Sequence, residues 1–180
     1  MKFLSDLVGA FQIDPDHTRV GAIVFSEQVR LAFSLDKFSN VADVQNAILA
    51  IPYMGQTTNT PESLIQTRLQ CFDPTSGDRP DVNNLAIIVT DGLPFPASRR
   101  NPAISEAAAL RAAGVTMIAI GVTDALDPDF LKEMSSPPQI KDQNYFTATD
   151  FGALNDITKA VVEGTCEAVE GMSIVNTFVL

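Results

Sequence analysis

One carboxylate in this sequence stands at a position where α/β proteins bind ligands. Leu85–Val89 is an unbroken aliphatic run, and it ends in Thr90, Asp91 and Gly92. Its length and β-branched residues predict a strand that is buried on both faces of a parallel sheet. Because ligands bind outside the carboxyl ends of such strands, Asp91 is a candidate ligand-binding residue. The alternative is that Asp91 only begins a turn with Gly92.

A second polar segment whose side chains could bind a ligand is the hydroxyl-rich loop Gly55–Thr60, which has the sequence GQTTNT. It precedes a helix predicted over Pro61–Cys71, with Thr60 as the N-cap and the proline at the first helical position. Helix capping explains Thr60, but it leaves Thr57 and Thr58 without a role.

The other residue types that often do chemistry show no catalytic or metal-binding pattern. His17 is the one histidine, and it lies in the predicted turn Asp14–His17 without a Ser, Cys or acid partner at a recognisable spacing. A solvated polar role is therefore predicted for it rather than catalysis. Cys71 and Cys166 fall on predicted helices and lack metal-ligand spacing, which favours buried or free thiols; a mutual disulfide is the alternative.

The composition indicates one acidic globular domain. The chain has 180 residues, of which 46% are hydrophobic and 19% charged, and its formal net charge is -10. This charge would repel nucleic acid and anionic membranes, whereas it suits a cation or a basic ligand. No run approaches the length of a membrane span, and the amino terminus lacks the pattern of a signal peptide.

The elements that must position these residues alternate between helices and strands. Strands are predicted at Thr18–Phe25, Val29–Ser34, Leu85–Val89, Val115–Val122 and Tyr145–Thr147, and helices at Lys2–Phe11, Val41–Ala50, Pro61–Cys71, Ile104–Ala113, Asp127–Met134 and Phe151–Cys166. The first two strands form a hairpin whose second strand is an edge. The alternation that follows predicts an α/β fold with a doubly wound, mostly parallel sheet, helices on both faces and one antiparallel edge strand.

Several ordered segments together resemble the von Willebrand factor type A domain of extracellular matrix and adhesion proteins, such as collagens, matrilins and integrin α chains. These segments are TRVGAIVFSEQVRLAFSL at Thr18–Leu35, GQTTNT at Gly55–Thr60, AIIVTDG at Ala86–Gly92, GVTMIAIGV at Gly114–Val122 and FTATDFGALNDI at Phe146–Ile157. The resemblance extends from Met1 to about Cys166. It implies a Rossmann-like, doubly wound sheet, in agreement with the element order.

The resemblance also implies a metal-ion-dependent adhesion site. In the family, one loop supplies an Asp-x-Ser-x-Ser motif, a second loop a threonine and a third loop an aspartate; the matching positions here are Thr58 and Asp91. Such oxygen ligands suit Mg²⁺, whose open position a carboxylate of the protein ligand would fill. The Asp-x-Ser-x-Ser loop is absent from this sequence, which begins within the helix Lys2–Phe11. Only two of the five side-chain ligands are present, so weak or absent Mg²⁺ binding is predicted.

On this resemblance the chain has two parts, an N-terminally truncated domain at 1–166 and a tail at 167–180. The family's first strand, which is missing here, lies between the strands that correspond to Arg19–Phe25 and Leu85–Thr90. An empty slot would leave unpaired backbone groups in the core. Since Met172–Leu180 is apolar and β-rich, we hypothesise that Ile174–Leu180 fills the slot in parallel. The alternative is that the tail is a disordered remnant.

The resemblance implies an extracellular protein–protein or cell–matrix adhesion module rather than an enzyme. Its expected partner is collagen or another matrix protein, with no nucleic acid and no membrane insertion. One alternative is a metal-independent structural repeat of a matrix protein. Another is a phosphotransfer or phosphatase-like enzyme that uses Asp91, although the companion acids and the lysine that such enzymes need are not found at the expected strand ends.

Overall fold

The described residues form one sheet of six strands, in which a single pair is antiparallel. The computed structural model describes residues 1–52, 54–55, 57–123, 127–149 and 159–160, and the backbone of 175–179. The strands are β1 Arg19–Phe25, β2 Val29–Phe33, β3 Asn83–Thr90, β4 Val115–Val122, β5 Tyr145–Ala148 and β6 Val175–Val179. Their order across the sheet is β2-β1-β6-β3-β4-β5. Only β2 runs antiparallel to its neighbour, so the predicted sheet with one antiparallel edge strand is confirmed.

The described helices follow the predicted order, and several of their bounds differ from the prediction. They are α1 Lys2–Val8, α2 Val41–Leu49, α3 Thr60–Gln66, α4 Arg100–Ala112 and α5 Pro128–Met134. The first helix ends before the predicted Phe11, because the chain tightens at Gly9 into turns in which Ala10 and Phe11 donate to carbonyls three residues back. The predicted helix Phe151–Cys166 lies outside the described residues, except for the helical pair at 159–160. No helix within the described part of the chain is long and apolar enough to cross a membrane.

The helix predicted over Pro61–Cys71 changes its winding halfway. After α3, Thr67–Cys71 forms one turn of π-helix, in which the Phe72 amide donates to the Thr67 carbonyl five residues back at 3.2 Å. The Thr67 hydroxyl donates to the Ser63 carbonyl at 2.8 Å. The Thr67 amide donates to this same carbonyl, so the regular bonding continues up to Thr67 and the wider turn begins with the Thr67 carbonyl.

The central strand β3 is buried on both faces, as its unbroken aliphatic run predicts. Leu85 and Ile87 pack on one face with Phe3 and Leu7 of α1. The alternate residues of β3 pack on the other face with side chains of α3, α4 and α5, namely Ala86 and Ile88 with Leu64, Leu110 and Phe130. Since side chains alternate along a strand, one aliphatic run supplies both cores and fixes helices on both sides of the sheet.

The last strand in the chain occupies the middle of the sheet. β6 pairs in parallel with β1 on one side and with β3 on the other, so that Thr177 lies opposite both Val20 and Leu85. β1 and β3 do not pair with each other; β6 alone connects the hairpin to the rest of the sheet. This is the position that was hypothesised for Ile174–Leu180, whose two end residues lie outside the described part. The division into a domain at 1–166 and a tail at 167–180 remains a hypothesis.

The turn before β1 is organised by the Asp14 carboxylate, which the sequence did not reveal as a partner of His17. Asp14 accepts hydrogen bonds from the backbone amides of Asp16 at 2.9 Å and His17 at 2.8 Å, and its Oδ1 lies 2.8 Å from His17 Nδ1. Arg79 donates to the His17 carbonyl at 2.6 Å. The solvated polar role predicted for His17 is thus a structural one, and its acid partner lies only three residues away.

The hydrogen bond from the His17 side chain is the main cause that lowers the pKa of Asp14 from 3.8 to about 2. Because the pKa is lower in the folded state, the stabilisation from this group is fully present above about pH 4 and is lost as the pH falls towards about 2. We expect the Asp14 carboxyl to titrate near pH 2 in NMR spectra of the folded protein. In His17→Ala its midpoint should rise towards 3.8, and a wild-type midpoint already near 3.8 would contradict this assignment.

Candidate metal and ligand site

The loop that begins at Asp91 is held in place by hydrogen bonds on both sides. The Thr90 hydroxyl donates to the Gly92 carbonyl at 2.8 Å and accepts from the Gly92 amide at 3.3 Å. The Asp91 carbonyl accepts from the Thr123 hydroxyl at 3.3 Å. Thr90 is buried and Asp91 is exposed, so the carboxylate leaves the strand end towards solvent. The backbone at Asp91 is thus fixed, and its carboxylate remains a candidate ligand.

Thr123, which follows β4, was not identified from the sequence as part of this edge. Its φ of 137° is one that β-branched residues rarely adopt. Two hydrogen bonds hold it, one from its hydroxyl to Asp91 and one from its amide to the Ala148 carbonyl at 2.9 Å. Backbone strain of this kind concentrates at functional sites, where the surrounding structure must hold it.

The hydroxyl-rich loop spans the gap between β1 and the loop after β3. The Asn59 amide donates to the Ser26 carbonyl, just beyond β1, at 2.8 Å, while the Thr58 carbonyl accepts from the Phe95 amide at 3.1 Å. A Cβ added to Gly92 would lie 3.2 Å from the Thr58 hydroxyl oxygen. The structure thus brings the Thr58 hydroxyl close to the residue that follows Asp91. The two residues that the resemblance pairs lie on loops that contact each other.

The predicted N-cap at Thr60 is wrong. Asn59 occupies the cap position and Thr60 is the first helical residue, since the bond to Ser26 holds the Asn59 backbone outside helical geometry. The Thr60 hydroxyl is buried and has no hydrogen-bond partner within the described residues. Buried hydroxyls normally have a hydrogen-bond partner, so the Thr60 hydroxyl is an exception, and it lies two residues after Thr58 in the chain.

The oxygen donors of the described residues fit a magnesium site only in part. Thr58 offers a half-buried hydroxyl and Asp91 an exposed carboxylate. Within the described ranges, no group of three or more His, Cys, Asp or Glu residues could hold a metal ion. Mg²⁺ demands near-octahedral oxygen coordination and usually takes one or two carboxylates together with waters. One carboxylate and one hydroxyl are a minimal set for such an ion, and the orphan Thr60 hydroxyl adds no charge to it.

The loop after Asp91 also exposes apolar side chains that were not predicted from the sequence as candidate functional residues. Phe95 is 61% exposed and Leu93 is 40% exposed. Pro94 between them is buried, which turns its two neighbours outward. The sequence signal that could have revealed them was the presence of two large apolar residues in a loop directly after a strand-end carboxylate.

The other candidate residues lie away from this edge. His17 precedes the amino end of β1, whereas Asp91 follows the carboxyl end of β3. Because these strands run in the same direction, the two residues lie at opposite ends of the strands. Cys71 is a buried free thiol, and burial raises its pKa, which makes it unreactive at neutral pH. Cys166 lies outside the described residues. Within the described part of the chain, neither His17 nor Cys71 can act together with Asp91.

Solved structures share this fold. Proximal thread matrix protein 1 from the mussel byssus superposes with a TM-score of 0.82 at 28% identity, over 92% of this chain and 41% of that chain. Another structure of the same protein, described as having a zinc-occupied MIDAS motif, superposes with a TM-score of 0.79. At this level of identity the likeness includes the sequence as well as the fold.

Sequence relatives lead to the same family. Matrilin-2 of Mus musculus is 33% identical over 172 residues, which is 93% of this chain and 17% of the relative. The collagen alpha-6(VI) chain of Homo sapiens is 32% identical over 168 residues, which is 93% of this chain and 7% of that protein. The sequence profile of the von Willebrand factor type A domain matches residues 1–160. The chain belongs to the von Willebrand factor type A domain family.

Proposed function

We propose that this domain is an extracellular binding module that attaches to collagen or another matrix protein through the loops at the carboxyl ends of its parallel strands. The observation that carries the proposal is the hydrogen-bonded contact between the Thr58 loop and the loop after Asp91. Its relatives among the matrilins and collagen VI chains are matrix proteins rather than enzymes. This chain spans only 17% and 7% of the two relatives named above, so the partners of the whole proteins enter here as proposals.

A binding assay on immobilised collagen tests the proposal. Asp91→Asn removes the carboxylate charge at the proposed edge, and Asp81→Asn removes the charge of another exposed aspartate just before the amino end of the same strand. We expect Asp91→Asn to weaken binding about tenfold and Asp81→Asn to leave it unchanged, because binding energy is concentrated in a few residues at the contact. Equal effects of the two variants, or no binding by the wild type, would count against the proposal.

The metal dependence of this binding is expected to be weak. By family the site would hold Mg²⁺, and Thr58 and Asp91 would be its ligands here. The described donors supply a single carboxylate, which is too little charge and too few ligands for a tight site. This favours a second form of the proposal, in which the domain is a structural repeat that engages its partner without metal. Binding that survives EDTA would support this form.

Calorimetric titration with Mg²⁺ measures the site directly. We expect no saturable heat below about 1 mM Mg²⁺, the weak end of the range for extracellular Ca²⁺-binding modules. Asp91→Asn serves as the control, since it removes the only carboxylate of the proposed pair, and its titration should match that of the wild type. A one-site isotherm with micromolar affinity that Asp91→Asn abolishes would show that the site is complete after all.

A further inference from the structure

The loop after β3 presents a combination of charge and apolar surface that the adhesion proposal does not explain. We define the loop patch as Asp91, Leu93 and Phe95. Resting on the proposed function, we infer that the loop patch recognises a positively charged side chain of the partner, flanked by apolar side chains, without a metal ion. The partner class is thus a basic and apolar protein segment, whereas a metal-dependent site would take a carboxylate.

The apolar half of the loop patch is exposed and held in position. Phe95 has the largest exposed fraction, 61%, of the large apolar residues in the described part of the chain. Its amide donates to the Thr58 carbonyl, so its backbone is tied to the neighbouring loop. Leu93 is exposed two residues earlier, beyond the Gly92 that is bonded to Thr90. An exposed aromatic residue on a restrained backbone loses little entropy on binding, which is typical of interface hot spots.

The charged half of the loop patch is an aspartate without a salt bridge among the described residues. Arg100, a cation of the following helix, is already paired with Asp127 at 3.2 Å and Glu133 at 2.9 Å, and it lies over the Phe130 ring at 5.4 Å. Arg99 is eight residues from Asp91 in the chain, as the last residue of the 3₁₀ turn Ala97–Arg99. The formal net charge of -10 adds to the negative potential at this edge.

The negative charge of Asp91 determines whether a basic or an acidic partner side chain binds at the loop patch. Without an ion that supplies positive charge, a partner carboxylate would meet the Asp91 carboxylate at close range and be repelled. A lysine or arginine would be attracted instead, and its aliphatic stem could lie on Leu93 or Phe95. Charge complementarity to a basic segment and the adjacent apolar side chains therefore favour the same kind of partner.

Three capped peptides, GSKLFGS, GSQLFGS and GSELFGS, test this inference, because they differ only in the charge beside the apolar pair. Binding is followed by NMR shifts of the amides at 57–58 and 91–95 on the full chain, in EDTA. We expect the lysine peptide to bind at least tenfold more tightly than the glutamate peptide at low salt, with the difference shrinking as salt is added. The glutamine peptide should lie between them.

Three variants locate the effect. Asp91→Asn should reduce the preference for lysine over glutamate about fivefold, in line with the size of an exposed ion pair. Phe95→Ser should weaken all three peptides, whereas Leu69→Ser, at a residue 59% exposed on the π-helical turn, should change nothing. The inference is overturned if the glutamate peptide binds as well as the lysine peptide, if Asp91→Asn keeps the full preference, or if no peptide shifts these amides. Collagen binding is measured separately, so the adhesion proposal can succeed where this inference fails.

Discussion

Replacing Thr177 by proline is expected to destabilise the folded domain by about 3 kcal/mol or more. Thr177 lies in the middle of β6, opposite Val20 of β1 and Leu85 of β3. Proline removes a backbone N–H from a strand that is paired on both sides and leaves a buried acceptor without its donor. Because β6 alone joins the hairpin to the rest of the sheet, the loss should affect cooperative unfolding of the whole domain. Urea unfolding followed by circular dichroism measures it.

Thr177→Val is the matched control for the proline variant. It keeps the β-branched shape and the backbone N–H, so we expect its free energy of unfolding to stay within about 1 kcal/mol of the wild type. Hydrogen exchange gives an independent readout, since the amides of Val175–Val179 should exchange about as slowly as those of β3. A proline variant as stable as the valine variant, together with fast exchange in this segment, would show that the tail does not fill the slot.

Two glycines with nearly the same φ are expected to differ strongly in how much their substitution by alanine destabilises the domain. Gly77 has φ 87° and Gly114 has φ 85°, a region that L-residues seldom enter. A Cβ on Gly77 would lie 2.6 Å from the Asp36 Cβ and 2.7 Å from the Asp36 backbone nitrogen, while a Cβ on Gly114 would meet nothing within 4 Å. Gly114→Ala should therefore cost only the conformational penalty, about 1 kcal/mol. Gly77→Ala should cost about 3 kcal/mol, because overpacking is added to that penalty.

The prediction is tested by the difference in free energy of unfolding between Gly77→Ala and Gly114→Ala. Thermal or urea unfolding of both variants under the same conditions yields it directly. The clash at Gly77 involves backbone, which cannot rotate away, and the segment is tied by the bond from Arg19 to the Gly77 carbonyl at 2.9 Å. Equal destabilisation by both substitutions would mean that the turn at Pro74–Ser76 does not pack against Asp36.

Local patterns in the sequence were enough to predict most of the elements. The strand Val115–Val122 was predicted with the bounds that the structure has, since an apolar run follows directly on Gly114, which closes α4. The predicted bounds were wrong where the backbone hydrogen bonds depart from those of a regular α-helix. The helix predicted over Pro61–Cys71 ends in a π-helical turn, and Asn59, whose amide donates to the Ser26 carbonyl, took the cap position that was expected for Thr60.

The site residues came from two sources. Asp91 follows from its place at the end of a buried strand, whereas Thr58 became a candidate only through resemblance to a family. The exposed Phe95 was missed, because exposure depends on neighbours distant in sequence rather than on residue type. Its outward position follows from the buried Pro94 beside it and from the hydrogen bond to Thr58.

By itself, the sequence determined the alternation of strands and helices and the carboxylate at the end of β3. Side-chain periodicity and turn residues act over a few neighbours, so they can be read without knowing the fold. Only the tertiary structure decided that β6 lies between β1 and β3, that Thr58 meets the Asp91 loop and that Phe95 faces solvent. These features depend on which strand edges and surfaces remain open once the rest of the chain has packed, and they join residues far apart in the sequence.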